Sequence, residues 1–505
     1  MPTRLLFIGF DALDKDLLLQ WAESGVLPTF RSLLQSTTCG LTTNPTGLYA
    51  GTVWPSFMTG VSPACHRRFF RRQAPRGEYL DRDFQPSDME GSAFWETLSE
   101  AGRKVAVIDV PHSRPVLHLN GIQVVNWHTH APDTEIPSAY PSALADELLA
   151  QFGSWSPDHC DEVERTPAGY KAFVNTLKAR LRNTLDLSLH CLQQGDWDLQ
   201  ITVFSEAHCV GHQYWHLHDP SHPRHDPLLV AALGDPIKEI YQALDRALAR
   251  LLESVGPETR TIVLASHGMG PLYGESVLLD EILQRLEGRP TSSSGSAFRS
   301  LKKYWYALPP SLRELPLLRA AQARLRPALH RSMLIPERKR RRFFAIPNNP
   351  HAGAVRINVA GRESQGLVQP GAEYREVCER LRRELLTLVN AETGSPVVAE
   401  VFLTGDLFAG PYLDELPDLL VEWSRKEPVR AIQSPLIGTL RIPEMRGRTG
   451  DHRDPGMFFC RRLGSRALRV EHPVSVMDFA PTIGMLLGVP LAGLEGQVVP
   501  ELTAS

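Results

Sequence analysis

Six short, mostly apolar runs constrain the fold of this chain more than any other feature. They are Leu5–Phe10, Val105–Val110, Leu199–Phe204, Thr261–Ala265, Leu419–Trp423 and Met457–Cys460, each bounded by glycine, proline or a polar cluster. Their length and punctuation fit strands buried on both faces. Helical stretches lie between them, among them Tyr170–Cys191, Pro236–Ser254 and Glu373–Val389. Strands alternating with helices imply an α/β fold with a mainly parallel sheet. In such sheets ligands gather at the carboxyl ends of the strands. The residues just after each run therefore carry most of the functional information.

Composition narrows the partners. With 54 basic and 57 acidic residues in 505, no global charge argues for nucleic acid or an anionic membrane. No apolar run approaches the roughly 18 residues that span a bilayer. The opening run stops at Asp11 without a small-residue cleavage site, so it is expected to be a strand, not a signal peptide. Seven scattered cysteines without a CxxC pair fit free thiols, and a cytoplasmic location is expected. From 279 to 344 the strand–helix rhythm stops. Residues 1–278 and 345–505 are expected to form the core, with 279–344 a basic helical insertion or cap. Its closing run, Arg338-Lys339-Arg340-Arg341-Arg342, reads as a solvated helix face or as a binder of phosphate or an acidic partner.

Strand ends supply a chemical constellation. The first strand closes on Asp11, where a carboxylate is costly unless solvated, paired or bound to a cation. Leu199–Phe204 runs into a segment with six histidines between 208 and 225, out of 18 in the chain. His208 and His212 are four apart, so on a helix both imidazoles leave the same face, a spacing suited to chelation. His216 lies one turn further on, whereas His218, His222 and His225 sit among prolines and read as solvent-facing or substrate-side. His267 follows Thr261–Ala265 directly, and His452 precedes Met457–Cys460. Between Gly51 and Gly60, Thr52 and Ser56 offer hydroxyls near a helix start, where backbone N–H groups hold anions. Such a hydroxyl is equally an ordinary helix cap.

Taken in order, Gly9-Phe10-Asp11, Trp54-Pro55-Ser56-Phe57-Met58-Thr59-Gly60, Ser266-His267-Gly268-Met269-Gly270 and Gly450-Asp451-His452-Arg453 resemble the type I phosphodiesterase/nucleotide pyrophosphatase family of the alkaline phosphatase superfamily. The closing Val476–Ile483 and Leu487-Gly488-Val489-Pro490 are similar to that superfamily's last helix. The resemblance implies a three-layer α/β/α sandwich with two metals, usually zinc, beside a Thr or Ser nucleophile. It places His208, His212 and His452 on one metal, and Asp11, Thr52, Ser266 and His267 on the other. It also implies a substrate-side segment containing Asn349, His351 and Arg356. Two departures stand out: His208 and Ser266 occupy positions that are Asp in the family. Counting back from Thr59-Gly60, the usual nucleophile position falls on Ala50, and Thr52 is the nearest hydroxyl.

The expected activity is metal-assisted hydrolysis or transfer at a phosphodiester or phosphomonoester of a small molecule, with Thr52 attacking and Ser56 as the second choice. One or two divalent ions are expected, zinc first, with iron, copper or manganese as other fits for a histidine-rich site. Two other readings stay open: lyase or redox chemistry at a three-His metal, and a non-catalytic binding protein on the same scaffold.

Overall fold

The computed structural model describes residues 5–128, 137–153, 165–289, 334–464 and 467–504. Most of the 279–344 segment, including its Ser-rich patch, lies outside the described residues. The chain divides into two compact units, one of residues 1–69, 85–273 and 444–505, the other of residues 70–84 and 274–443.

The first unit is built on nine strands: β1 (Leu5–Phe10), β2 (Thr38–Thr43), β3 (Val105–Ile108), β4 (Gly121–Val125), β5 (Ser138–Tyr140), β6 (Leu199–Phe204), β7 (Arg260–Ala265), β8 (Gly456–Arg461) and β9 (Arg469–Ser475). Across the sheet they run β9-β2-β8-β7-β1-β6-β3-β4-β5. The central stretch β7-β1-β6-β3-β4 is parallel throughout. Strand β8 is antiparallel to both neighbours, and β5 is antiparallel at the edge. Every residue of β1 and β6 is buried, as continuous apolar runs require.

Helices cover both faces. Strand residues of opposite parity point to opposite sides. Phe10 packs with Phe30 and Phe204 in a core that also takes residues from α2 (Pro167–Gln193), α3 (Glu206–His218) and α4 (Pro236–Glu253). Phe7, on the other face, meets Phe57 of α1 (Tyr49–Thr59) at 4.7 Å and Phe479 at 6.0 Å. The result is a three-layer α/β/α arrangement around a mostly parallel sheet.

The sequence pattern puts Leu419–Trp423 among the main strands, but it belongs to the second unit. There it joins Phe343–Ile346, Ala352–Ile357 and Val398–Leu403 in a four-stranded sheet whose neighbours are all antiparallel. An apolar run records burial, not the sheet it joins.

Only part of the basic run is solvated: Arg340 is exposed, but the arginines around it are engaged. Arg338 is buried against Asp81 at 3.1 Å, and Arg341 is buried against Asp280 at 2.7 Å and Glu337 at 3.2 Å. Arg342 pairs with Glu373 at 2.6 Å. These cations are taken up by acids of their own unit. Among the described residues, six cysteines are free, and no helix is long and apolar enough to cross a membrane.

Candidate metal centre

Four segments meet at the carboxyl edge of the main sheet. Asp11 follows β1, and its N–H donates to the Phe204 carbonyl at 2.8 Å. α3 starts immediately after β6 and carries His208 and His212 one turn apart. His267 follows β7, after which Gly268–Pro271 pairs antiparallel with Gly450–Arg453, setting Met269 opposite His452. This two-stranded ribbon lies against α3 because Gly450 has no side chain. A Cβ there would stand 2.3 Å from the Gly211 carbonyl oxygen. The close approach lets His212 Nδ1 donate to the Gly450 carbonyl at 2.7 Å.

His208, His212 and His452 converge. Their ring centroids form a triangle with sides of 4.6, 4.7 and 4.7 Å, the rings nearly perpendicular to one another. His212 Nε2 is 3.0 Å from His208 Nε2 and 3.1 Å from His452 Nε2. Among the described residues these three form a group able to hold a metal ion. The Nδ1 sides are already engaged, His208 Nδ1 by Asp11 Oδ2 at 2.7 Å and His212 Nδ1 by Gly450. Both partners only accept, so each neutral imidazole carries its proton on Nδ1 and turns an Nε2 lone pair inward. Two lone pairs facing at 3.0 Å repel unless a proton or a metal ion lies between them. A tetrahedral zinc site with Zn–N of about 2.0–2.1 Å sets its ligand atoms about 3.3 Å apart. The spacing and the donor chemistry fit such an ion.

Electrostatics follow the same layout. Burial pushes the Asp11 carboxyl up, but the adjacent His208, then His267 and the Trp54 indole N–H at 2.9 Å, hold it well below the ordinary carboxylate range. Burial lowers His208, yet Asp11 more than offsets it and leaves the ring more basic than usual. Burial and the neighbouring histidines hold His212 and His452 far below a free imidazole. His267, its Nε2 2.6 Å from His452 Nδ1, is lowered to about 4, chiefly by burial.

The other expected residues are not among the three converging imidazoles. Thr52 is fully buried in α1, and its hydroxyl donates to the Leu48 carbonyl at 3.1 Å. Ser56 pairs with His66 Nε2 at 3.0 Å. His216 bonds Thr449 Oγ1 at 3.0 Å and stands outside the converging trio. His222, expected to face solvent, is buried against the Leu272 carbonyl and the Tyr273 ring. Glu206 faces the buried Arg180 at 3.8 Å, and burial pushes its carboxyl up to about 7 despite that cation. In the second unit Arg356 is buried, with Nε on Glu363 at 2.8 Å and Nη1 on the Leu416 carbonyl at 2.7 Å. His351 is buried in the same unit, and the Asn349 carbonyl accepts from Ala352 N–H at 3.1 Å. Trp54 and the Gly450 carbonyl were missed as orienting groups. The buried indole offered a signal, because such an N–H needs an acceptor.

The sequence profile of the family described as Type I phosphodiesterase / nucleotide pyrophosphatase matches residues 5–426. No curated protein matches the chain. Among solved structures, the fold is similar to phosphonoacetate hydrolase from Sinorhizobium meliloti 1021 in complex with phosphonoformate, with TM-score 0.55 and 12% identity over 97% of this chain and 96% of that one. It is also similar to wild type alkaline phosphatase PafA, with TM-score 0.54 and 13% identity over 100% of this chain and 99% of that one. At such identities the likeness establishes the fold, and the profile establishes the kinship. The chain belongs to the type I phosphodiesterase/nucleotide pyrophosphatase family of the alkaline phosphatase superfamily, a family of hydrolytic enzymes.

Proposed function

We propose that the protein hydrolyses small-molecule phosphate esters with a divalent transition metal held by His208, His212 and His452. The observation that carries this reading is the convergence of three imidazole Nε2 atoms, two of them with their Nδ1 protons already donated elsewhere. The donor set suits zinc, and iron or copper by ligand softness. Such an ion supplies Lewis-acid polarisation of a phosphoryl oxygen and lowers the pKa of water at the site.

The chain's own residues do the rest. Asp11 and the Gly450 carbonyl hold two rings in the orientation their ligand role requires. The first turn of α1 lies beside the centre, where the Tyr49 hydroxyl donates to the His452 carbonyl at 3.3 Å. Its N-terminal backbone N–H groups favour an anionic phosphoryl group there. We assign the attack to water in preference to Thr52, because the Thr52 hydroxyl is fully buried and turned to the Leu48 carbonyl.

Elemental analysis of the purified protein and of His212→Ala tests the metal assignment, with turnover of aryl phosphate mono- and diesters read in parallel. The wild type is expected to carry metal and hydrolyse at least one ester class, and H212A to lose both. Full metal retention in H212A, or a metal-loaded wild type inert on every ester, would sink the proposal.

A further inference from the structure

We propose that Ser266 and His267 form an outer relay that fixes the tautomer of His452, so that the trihistidine centre takes one cation and His267 ligates none. The inference rests on the metal assignment above and goes beyond it, since the resemblance alone puts His267 and Ser266 on a second metal.

The argument is a count of protons. His267 Nε2 is 2.6 Å from His452 Nδ1, and His267 Nδ1 is 3.0 Å from Ser266 Oγ. Ser266 Oγ also accepts from Ala12 N–H at 3.3 Å and stands 3.3 Å from the Phe10 carbonyl oxygen. One setting leaves His452 a lone pair directed at the other two rings. Ser266 donates to Phe10, His267 donates from Nδ1 to Ser266, and His452 donates from Nδ1 to His267. His452 Nε2 then presents a lone pair beside those of His208 and His212.

In the reverse setting Ser266 donates to His267, and each ring passes its proton one place inward. His452 Nε2–H would then point at His212 Nε2, 3.1 Å away, and the donor set would fall to two. Ser266 Oγ would then accept only from Ala12 N–H, while the Phe10 carbonyl keeps its bond from Ser266 N–H at 3.1 Å. Both settings make the same number of hydrogen bonds, and only the first leaves His452 Nε2 a lone pair for the cation that His208 and His212 face.

The same count bears on a second ion. With both ring nitrogens committed, His267 keeps no lone pair for a cation. Asp11 has one oxygen on His208 and the other on Trp54. Ser266 stands where a second carboxylate would offset the repulsion between two close divalent ions. A buried neutral hydroxyl suits a relay better than it suits a paired-metal site.

Cobalt and zinc stoichiometry and affinity, measured by chelator competition, test this in the full chain. The wild type is expected to bind one ion. His267→Leu leaves His452 without its partner and should weaken binding about 10- to 100-fold, with one ion still bound at saturation. His267→Gln offers an amide oxygen that accepts the His452 Nδ1 proton, and should recover most of the loss. Ser266→Asp can only accept, so it locks the productive setting and should tighten binding of the first ion. Melting of the metal-free variants checks that they fold. Two ions in the wild type with one in H267L would make His267 a ligand and overturn the relay. Equal affinity across wild type, H267L and H267Q would overturn it as well. A wild type that binds no ion overturns the proposed function and the relay together.

Discussion

Replacing Thr52 by valine removes one hydroxyl while keeping the β-branched shape and a nearly equal helix propensity. The hydroxyl donates to the Leu48 carbonyl at 3.1 Å, and that carbonyl also accepts from Gly51 N–H at 3.1 Å. The substitution therefore strands no acceptor, and the loss falls at the low end of a net hydrogen bond, about 0.5–1 kcal/mol. Melting of the metal-free protein should fall by no more than about 2–4 °C. Metal content should not change, because Thr52 contributes nothing to the converging trio. With water as the attacking group, kcat on an aryl phosphate stays within about tenfold of wild type. Had Thr52 been the nucleophile, turnover would drop by about 10⁴ or more. The assay is steady-state hydrolysis by metal-loaded T52V, with metal content determined on the same sample. A folded, fully loaded and inactive T52V would refute the assignment of attack to water.

Asp11→Asn deprives His208 of its carboxylate partner and should weaken metal binding about 10- to 100-fold in a chelator titration; unchanged affinity would deny the carboxylate an orienting role. Gly450→Ala forces a Cβ to within 2.3 Å of the Gly211 carbonyl oxygen and should cost about 1–3 kcal/mol in urea unfolding along with metal affinity; a neutral result would mean the two-stranded ribbon yields freely. In the second unit, Arg362 donates to both oxygens of Asp418 at 2.7 Å, so Arg362→Leu leaves a buried charge and should cost about 3–5 kcal/mol, a value contradicted by a loss under about 1 kcal/mol. Asp418 is pushed up by burial and pulled further down by Arg362, a net depression. Its contribution is therefore complete above the ordinary carboxylate pKa of about 3.9 and fades as pH falls below it, so D418N should flatten the acid limb of stability measured from pH 5 to pH 3.

The parallel core was legible because β1, β6 and β7 are buried on both faces and read as continuous apolar runs. Strands β2 and β9 were not, since half of Thr38–Thr43 is threonine and Arg469–Ser475 carries Pro473 and charges, as sheet margins allow. The i, i+4 spacing of His208 and His212 on one face of α3 was readable, whereas His452 precedes an antiparallel strand and was reached through the family resemblance. The part of Asp11 and His267 was harder to read. A carboxylate or imidazole that ligates an ion and one that steadies a ligand sit one bond apart, and residue type does not separate them. Nor does sequence say that the Arg356 guanidinium is held by Glu363, a pairing made only once a turn brings the two together.

Strand β8 enters the sheet between β2 and β7 although more than four hundred residues separate it from β2. Asp14 and Arg453, joined at 2.6 and 2.7 Å, close a loop of similar length. Such distant pairings make folding slow, because loop entropy must be spent before the contacts form. During synthesis, His208 and His212 emerge long before the segment carrying His452. Until that segment docks and β8 inserts, the nascent chain exposes a two-histidine fragment and an open sheet margin. Tight ion capture is therefore a late event that follows sheet closure. On refolding, metal uptake should lag the recovery of helical signal and coincide with burial of β8.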